Sequence, residues 1–164
     1  MQQLLKKINQ RILSLTIPAQ PAQLYEPARY TFALGGKRMR PLLTLLGYSL
    51  YKTTNEKALN AAVALEVFHN FTLLHDDIMD KAPLRRGKPS VWKKWSSNTA
   101  ILSGDAMLIM AYELLSAYES VLLKKMLPVF NHTAIKVCEG QQLDMDFESA
   151  KNVSIADYPV SYTH

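Results

Sequence analysis

Three aspartates stand close together near the middle of the chain, in the segment LHDDIMD at residues 74–80. In a helix, Asp76 and Asp80 would lie about 40° apart on one face and one turn from each other, so both carboxylates could bind the same ions. Asp77 would point elsewhere, where it could support the other two. Oxygen ligands of high charge favour magnesium, with manganese as the alternative. An acidic helix end that pairs with Lys81 would give the same pattern, so this segment alone leaves both interpretations open.

Basic residues follow the acidic segment directly. Arg85 and Arg86 lie in a stretch broken by Pro83 and Gly87. Arginine is suited to bidentate contact with phosphate, and adjacent arginines in a turn can face two different anions. Carboxylates repel a phosphate unless a divalent cation lies between them. An acidic segment directly beside a basic one therefore predicts a metal ion and a phosphorylated substrate.

A second basic cluster, Lys37, Arg38 and Arg40, follows a Gly-Gly pair that can supply positive φ angles. Lys37 and Arg40 could form a further phosphate site with the N-terminus of the next helix, although the spacing of a Walker loop is absent. His69 falls on the same helical face as Asp76, two turns deeper. From position alone it either donates a hydrogen bond to an anion or is a hydrogen-bonded core residue.

Helices must position these side chains. Apolar residues recur at spacings of three and four and strand-like alternation is almost absent, so we predict an all-α fold. The predicted helices cover residues 2–16, 21–34, 41–52, 55–80, 97–118 and 120–147. Pro128 is expected to kink or split the last helix. The stretch 55–80 is apolar nearly all round, so we expect it at the centre of a helical bundle.

Composition excludes several classes of protein. The 164 residues are 48% hydrophobic with a formal net charge of +5, which is not typical of a disordered or fibrous chain. The single cysteine, Cys138, cannot form an internal disulfide, so we expect a reducing, cytoplasmic location. No apolar run approaches the ~18 residues that span a bilayer, so we expect no membrane span. The basic charge alone would fit nucleic acid, but no motif supports such a partner.

Four motifs in series resemble the first half of the trans-polyprenyl diphosphate synthase family. They are GGKRMRP at 35–41, LHDDIMD at 74–80, RRGKPS at 85–90 and GQQLD at 140–144. The resemblance implies an all-helical bundle around a deep central cavity and a homodimeric full-length form. It also implies a magnesium-dependent prenyltransferase of isoprenoid biosynthesis. That enzyme would condense isopentenyl diphosphate with an allylic diphosphate (dimethylallyl, geranyl or farnesyl).

The resemblance also implies roles for single residues. Asp76 and Asp80 resemble the magnesium ligands that hold the allylic diphosphate, with Asp77 supporting them and Arg85 on the same diphosphate. The residues that resemble the isopentenyl diphosphate site are Lys37, Arg40, His69 and Arg86. The residues that match the family's GQxxD helix, across the cavity near the metal ions, are Gln141 and Asp144.

Two positions concern the length of the product. In the family, the fourth and fifth residues before the acidic motif influence it, and here they are Thr72 and Phe71. The small side chain of Thr72 would leave the cavity deep one turn below Asp76. Phe71 would block the cavity floor only if the cavity curves around the helix. One aromatic residue at these two positions resembles geranylgeranyl-type more than farnesyl-type synthases.

The end of the sequence departs from the family. The family continues with a Lys-Thr pair, a further Gln and a second aspartate-rich motif, whereas this sequence ends in PVSYTH at 159–164. We therefore interpret 1–158 as the N-terminal half of a synthase domain and 159–164 as a tail unlike the family, from a truncation, a frameshift or a deliberate fragment. On this interpretation the chain alone lacks synthase activity.

Two alternatives stay open. The chain could be a non-catalytic partner subunit that pairs with a complete synthase, because residues 97–147 resemble the helices through which the family dimerises. A terpene cyclase shares the acidic motif and the helical fold. However, the GGKR and RRG sequences indicate a second diphosphate substrate, which a cyclase lacks.

Overall fold

The structure is a computed structural model that describes residues 1–53, 56–150 and 153–154. Its elements in chain order are α1 (Gln2–Leu13), α2 (Ala22–Ala33), α3 (Met39–Ser49), α4 (Glu56–Met79), β1 (Leu84–Arg85), β2 (Lys88–Pro89), α5 (Val91–Lys94), α6 (Ser97–Ser116) and α7 (Ser120–Ser149). The all-α prediction is confirmed, and the helix boundaries agree with those expected to within a few residues. The two-residue strands and the one-turn helix α5 were not predicted.

The chain divides into two compact units, Met1–Ala117 and Tyr118–His164. In the first unit, α4 packs against α1, α3, α5 and α6. Its buried residues lie on several sides of the helix and include Ala62, Val63, Ala64 and Val67, all fully buried. The prediction of a central buried helix is therefore confirmed, and its 24 residues extend about 36 Å.

A close approach between α4 and α6 depends on a glycine. A Cβ atom at Gly104 would lie 2.6 Å from Nε2 of His75. The same His75 nitrogen lies 3.2 Å from the backbone oxygen of Ile101. The imidazole beside Asp76 therefore rests directly on the backbone of α6.

Two turns with left-handed backbone conformations contain Arg38 and Arg86. Gly35 and Gly36 have φ angles of 74° and 148°, as the Gly-Gly pair predicted, and Arg38 follows with a φ of 52°. Arg86 and Gly87, with φ angles of 54° and 74°, form the turn of the β1–β2 hairpin. Positive φ at both central residues is the geometry that suits a two-residue hairpin turn.

The loop between α4 and α5 is tied to one carbonyl group. The Ser90 hydroxyl and the Trp92 indole N–H both donate to the backbone oxygen of Ala82, at 2.7 Å and 2.8 Å. The hairpin that carries Arg85 and Arg86 therefore has a fixed base.

The second unit contains α7, which continues from Ser120 to Ser149 with Pro128 inside it. Of the two expected effects of Pro128, a kink or a split, the split is wrong, because proline removes one backbone donor and a long helix can keep its remaining hydrogen bonds. On its surface, Lys136 pairs with Glu139 at 2.6 Å and Gln142 donates to Asp146 at 2.8 Å.

Among the described helices, α6 is long and apolar enough to cross a membrane by length and composition alone. The sequence analysis did not anticipate this. It is weak evidence, because the buried helix of a globular protein passes the same test. Residues such as Ala100, Met107 and Ala111 are fully buried, and α6 packs against α2, α4 and α5.

The contact at Gly104 generates a stability prediction. We expect Gly104→Ala to destabilise the chain relative to Gly47→Ala by about 1–3 kcal/mol, because the added methyl group meets the His75 ring. Gly47 is the matched control. It also lies in a helix and an added Cβ meets nothing within 4 Å, so its replacement should stabilise the chain by about 0.5–1 kcal/mol. Urea unfolding measures both changes, and equal free energies of unfolding for the two variants would contradict the prediction.

Candidate active site

The acidic end of α4 brings two carboxylates together. The backbone N–H of Asp80 donates to the oxygen of Asp76 at 2.9 Å, so helical geometry continues past Met79 and the two residues lie one turn apart. Asp76 is half-buried and Asp80 is exposed. This is the arrangement that the spacing predicts.

Arg85 lies across the neighbouring carboxylates. Its Nε and Nη2 atoms donate to Oδ1 of Asp77 at 2.9 Å and 2.5 Å, and Nη2 lies 3.3 Å from Oδ2 of Asp76. The Asp77 side chain is only 4% exposed, so its charge needs this partner. Asp77 therefore holds Arg85. Its support of Asp76 and Asp80 in metal binding stays a prediction.

The electrostatics at Asp76 favour a bound cation. Burial raises the pKa of Asp76 above its usual range, the charge of Asp80 raises the pKa further, and Arg85 opposes the shift. A cation between Asp76 and Asp80 would relieve their repulsion. Among the residues that the structure describes, no group of three or more His, Cys, Asp or Glu side chains is arranged to hold a metal. Two carboxylates do fit magnesium, which commonly binds one or two protein carboxylates together with substrate phosphates.

A histidine of α4, two turns before Asp76, meets an arginine of α3. Nη1 of Arg40 lies 3.3 Å from Nε2 of His69. Arginine can only donate, so Nε2 accepts and the proton of the neutral ring lies on Nδ1. Burial, together with the charges of Arg40 and Arg86, lowers the pKa of His69 to about 4. His69 is therefore a neutral hydrogen-bonding group at physiological pH.

Arg86 joins this cationic cluster from the hairpin. Its Nη1 donates to the backbone oxygen of Gly35, and a Cβ atom at Gly36 would lie 2.9 Å from the guanidinium carbon. Burial lowers the pKa of Arg86, the charge of Arg38 lowers it further, and the charge of Glu66 opposes the shift. The hairpin and the Gly-Gly turn are thus in direct contact, which brings Arg86 to the same side of α4 as His69.

The remaining members of the predicted basic cluster separate into two kinds. Lys37 and Arg40 are exposed, whereas Arg38 is 3% exposed and pairs with Glu66 at 2.7 Å. Sequence reasoning missed Glu66, and grouped Arg38 with Lys37 and Arg40 in one basic cluster. A glutamate inside an apolar helix was the available signal, because buried charge requires a partner.

The two residues expected to influence product length lie on α4. The Thr72 hydroxyl donates to the backbone oxygen of His69 at 2.8 Å. The Phe71 ring packs between Phe68 and His75, with centroid distances of 5.6 Å and 4.9 Å. A Cβ atom at Gly104 of α6 would lie 3.4 Å from Cδ2 of Phe71, so Phe71 packs towards α6.

Gln141 and Asp144 lie three residues apart on α7, in the second unit. Both are half-buried, and the spacing of three places them on one face of the helix. Their expected role opposite the acidic segment stays a prediction.

Comparisons with solved structures give the class of protein first. The chain superposes on a crystal structure of geranylgeranyl pyrophosphate synthase with a TM-score of 0.88 and 51% identity, covering 98% of this chain and 48% of that one. It also superposes on the geranylgeranyl pyrophosphate synthetase of the archaeon Geoglobus acetivorans, with a TM-score of 0.89 and 35% identity. That match covers 98% of this chain and 53% of the archaeal one. The fold is that of the isoprenoid synthases.

Sequence comparison then gives the family. The polyprenyl synthetase family matches residues 21–163. The geranylgeranyl diphosphate synthase of Methanosarcina mazei is 45% identical over 141 residues, which cover 85% of this chain and 44% of that relative. The chain belongs to the polyprenyl synthetase family, and it spans about half the length of the curated relatives that it matches.

The His69–Arg40 contact generates a titration prediction. We expect the pKa of His69, measured by NMR, to be about 4. Arg40→Gln should raise this pKa because it removes a positive charge, but should leave it below 6.5 because burial is the largest cause. A midpoint near 6.5 in the unsubstituted chain would contradict the prediction.

The sign of the accompanying stability change follows from proton linkage. Between pH 6.5 and pH 4 the unfolded chain binds a proton at His69 that the folded chain does not. Above pH 6.5 His69 is neutral in both states and does not lower the free energy of unfolding. As the pH falls from 6.5 towards 4, protonation of His69 in the unfolded chain lowers the free energy of unfolding progressively. His69→Gln should remove this part of the pH dependence.

Proposed function

We propose that this chain carries the two diphosphate sites of a short-chain prenyltransferase, which joins isopentenyl diphosphate to an allylic diphosphate with the help of magnesium. The observation that carries the proposal is the pair of differently built sites along one helix. Asp76 and Asp80 form an acidic site beside Arg85, while Arg40 and Arg86 form a cationic site beside His69.

The acidic site would take the allylic diphosphate. Asp76 and Asp80 would hold magnesium, with manganese as the alternative, and the bound metal supplies positive charge against the diphosphate as it leaves. Arg85, oriented by Asp77, donates hydrogen bonds to the same phosphate oxygens. Charge that is already oriented before the reaction is the largest source of rate enhancement in many enzymes.

The cationic site would take isopentenyl diphosphate. Lys37, Arg40 and Arg86 supply three positive charges, so this anion needs no metal to bind. The proton on Nδ1 of His69 gives the neutral ring one donor for a phosphate oxygen. Because both sites use α4, the two substrates would be held at a fixed separation, which lowers the entropic cost of their encounter.

The proposed reaction requires no protein nucleophile. The double bond of isopentenyl diphosphate attacks the allylic carbon as its C–O bond to diphosphate breaks, and the electron pair of that bond leaves with the diphosphate. A proton then leaves the carbon next to the new cation, and the departing diphosphate accepts it.

Product length and association belong to the same proposal. The packing of Phe71 towards α6 beside the small Thr72 supports a geranylgeranyl-type product. Exposed apolar residues on α6, including Leu102 and Ile109, support association with a second copy in the full-length form. Three further points stay predictions. They are the alternative of a partner subunit that pairs with a complete synthase, the role of Gln141 and Asp144 opposite the acidic segment, and the cytoplasmic location.

Calorimetry with geranyl diphosphate tests the acidic site. We expect the 164-residue chain to bind this ligand more tightly with magnesium than without it, and Asp76→Asn and Asp80→Asn to weaken the magnesium-dependent part at least about tenfold. Loss of a group that only orients a metal ligand typically costs 10–100-fold, so loss of a ligand should cost no less.

Glu113→Gln is the matched control, because it removes an exposed carboxylate of α6 outside the acidic site. Its magnesium-dependent affinity should equal that of the unsubstituted chain. Equal affinity with and without magnesium, or equal behaviour of Asp76→Asn and Glu113→Gln, would contradict the proposal.

A further inference from the structure

The ion pair between Arg38 and Glu66 is buried beside the cationic site and no step of the proposed reaction uses it. Arg38 Nη1 donates to Oε1 of Glu66 at 2.7 Å, and the two side chains are 2% and 3% exposed. Taking two charges out of water is costly, and a buried ion pair is often no more stabilising than apolar side chains of similar volume. Stability alone therefore does not account for this pair.

Each of the three guanidinium nitrogens of Arg38 donates a hydrogen bond. Besides the bond to Glu66, Nε donates to Oδ1 of Asn9 at 3.1 Å and Nη2 donates to the backbone oxygen of Phe32 at 3.1 Å. These partners belong to α1, to the end of α2 and to α4. One side chain thus connects the turn before α3 to three helices, with a planar fork that lysine cannot reproduce.

Glu66 is itself held in place on α4. Nδ2 of Asn70 donates to the backbone oxygen of Glu66 at 2.6 Å and lies 3.3 Å from its Oε1. Both partner atoms are acceptors, so they fix the orientation of the Asn70 amide. The carboxylate that receives Arg38 is therefore fixed one turn from His69.

The turn anchored by Arg38 carries the cationic site. Lys37 and Arg40 lie on either side of Arg38 and are exposed, while the backbone oxygen of Gly35 accepts from Arg86. Arg38 has a left-handed φ of 52°, and its side chain is buried whereas Lys37 and Arg40 are exposed. The position of the anchor thus determines where the cationic groups lie.

We infer that Arg38 and Glu66 are positioning residues for isopentenyl diphosphate. They fix the turn so that Lys37, Arg40 and Arg86 converge on one phosphate group. Glu66 neutralises Arg38, so Arg38 acts through geometry and adds little charge to the site. The identity of the ligand rests on the proposed function, whereas the fixing of the turn does not.

Two conservative variants separate geometry from charge. Arg38→Lys keeps the positive charge and loses the fork, and Glu66→Gln keeps the shape and loses the negative charge. We expect both variants to speed hydrogen exchange by about tenfold at the amides of Gly35 and Leu42, which donate to the backbone oxygens of Phe32 and Arg38 on either side of the turn, because hydrogen bonds to a charged group are lost. Exchange in α6 should not change. Unchanged exchange at Gly35 and Leu42 would overturn the inference.

Ligand binding by the same variants gives the second measurement. We expect the affinity for isopentenyl diphosphate to fall about tenfold, while magnesium-dependent affinity for geranyl diphosphate stays the same. Equal loss of both affinities would indicate general destabilisation and overturn the inference. Failure of the unsubstituted chain to bind isopentenyl diphosphate would instead contradict the proposed function, since hydrogen exchange tests the anchor independently.

Arg29→Lys is the matched control for Arg38→Lys. Arg29 also ties a loop to a helix, through the backbone oxygens of Ile17 and Pro18, and it lies outside both proposed sites. This variant should leave both ligand affinities and the exchange of the Gly35 and Leu42 amides unchanged. An effect equal to that of Arg38→Lys would show that the loss is not particular to the anchor, and would overturn the inference.

Discussion

Asp77 is buried at the end of a helix whose interior contacts are mainly apolar, so its charge requires a partner, and Arg85 is that partner. This pairing fixes the direction of Arg85 beside Asp76 and the position of the hairpin that carries it. The hairpin in turn brings Arg86 onto the Gly-Gly turn. The requirement to neutralise one buried carboxylate thus constrains both proposed diphosphate sites.

A second buried pair lies about three turns earlier on α4. Glu66 and Arg38 meet where α1, α2 and α4 approach the turn before α3. In both pairs a buried acidic residue of α4 binds an arginine from a neighbouring segment. Asp77 binds Arg85 from the hairpin after α4, and Glu66 binds Arg38 from the turn before α3. Arg85 then remains beside the acidic site, whereas Arg38 is fully enclosed and leaves its neighbours exposed. The central helix therefore determines the position of both loops through its own carboxylates.

Periodicity in the sequence predicted the helices well, because α4 and its neighbours have long apolar repeats. It did not predict the β1–β2 hairpin, because two-residue strands are too short to show a period. One-turn spacing correctly placed Asp76 and Asp80 together, since both lie at one helix end. The Arg38–Glu66 pair was missed because it joins residues 28 apart in sequence, and only packing brings them together. The split at Pro128 was expected from local propensity, but α7 continues through this residue.

The two proposed sites differ in one property that can be observed directly, the presence of a metal ion. The most direct test is a crystal structure of the chain grown with magnesium, isopentenyl diphosphate and an unreactive analogue of an allylic diphosphate. We predict two bound diphosphates. The allylic analogue should bind through magnesium to Asp76 and Asp80, and isopentenyl diphosphate should contact Arg40 and Arg86 with no metal between them. A single shared diphosphate site, or magnesium at the cationic cluster, would contradict the proposal.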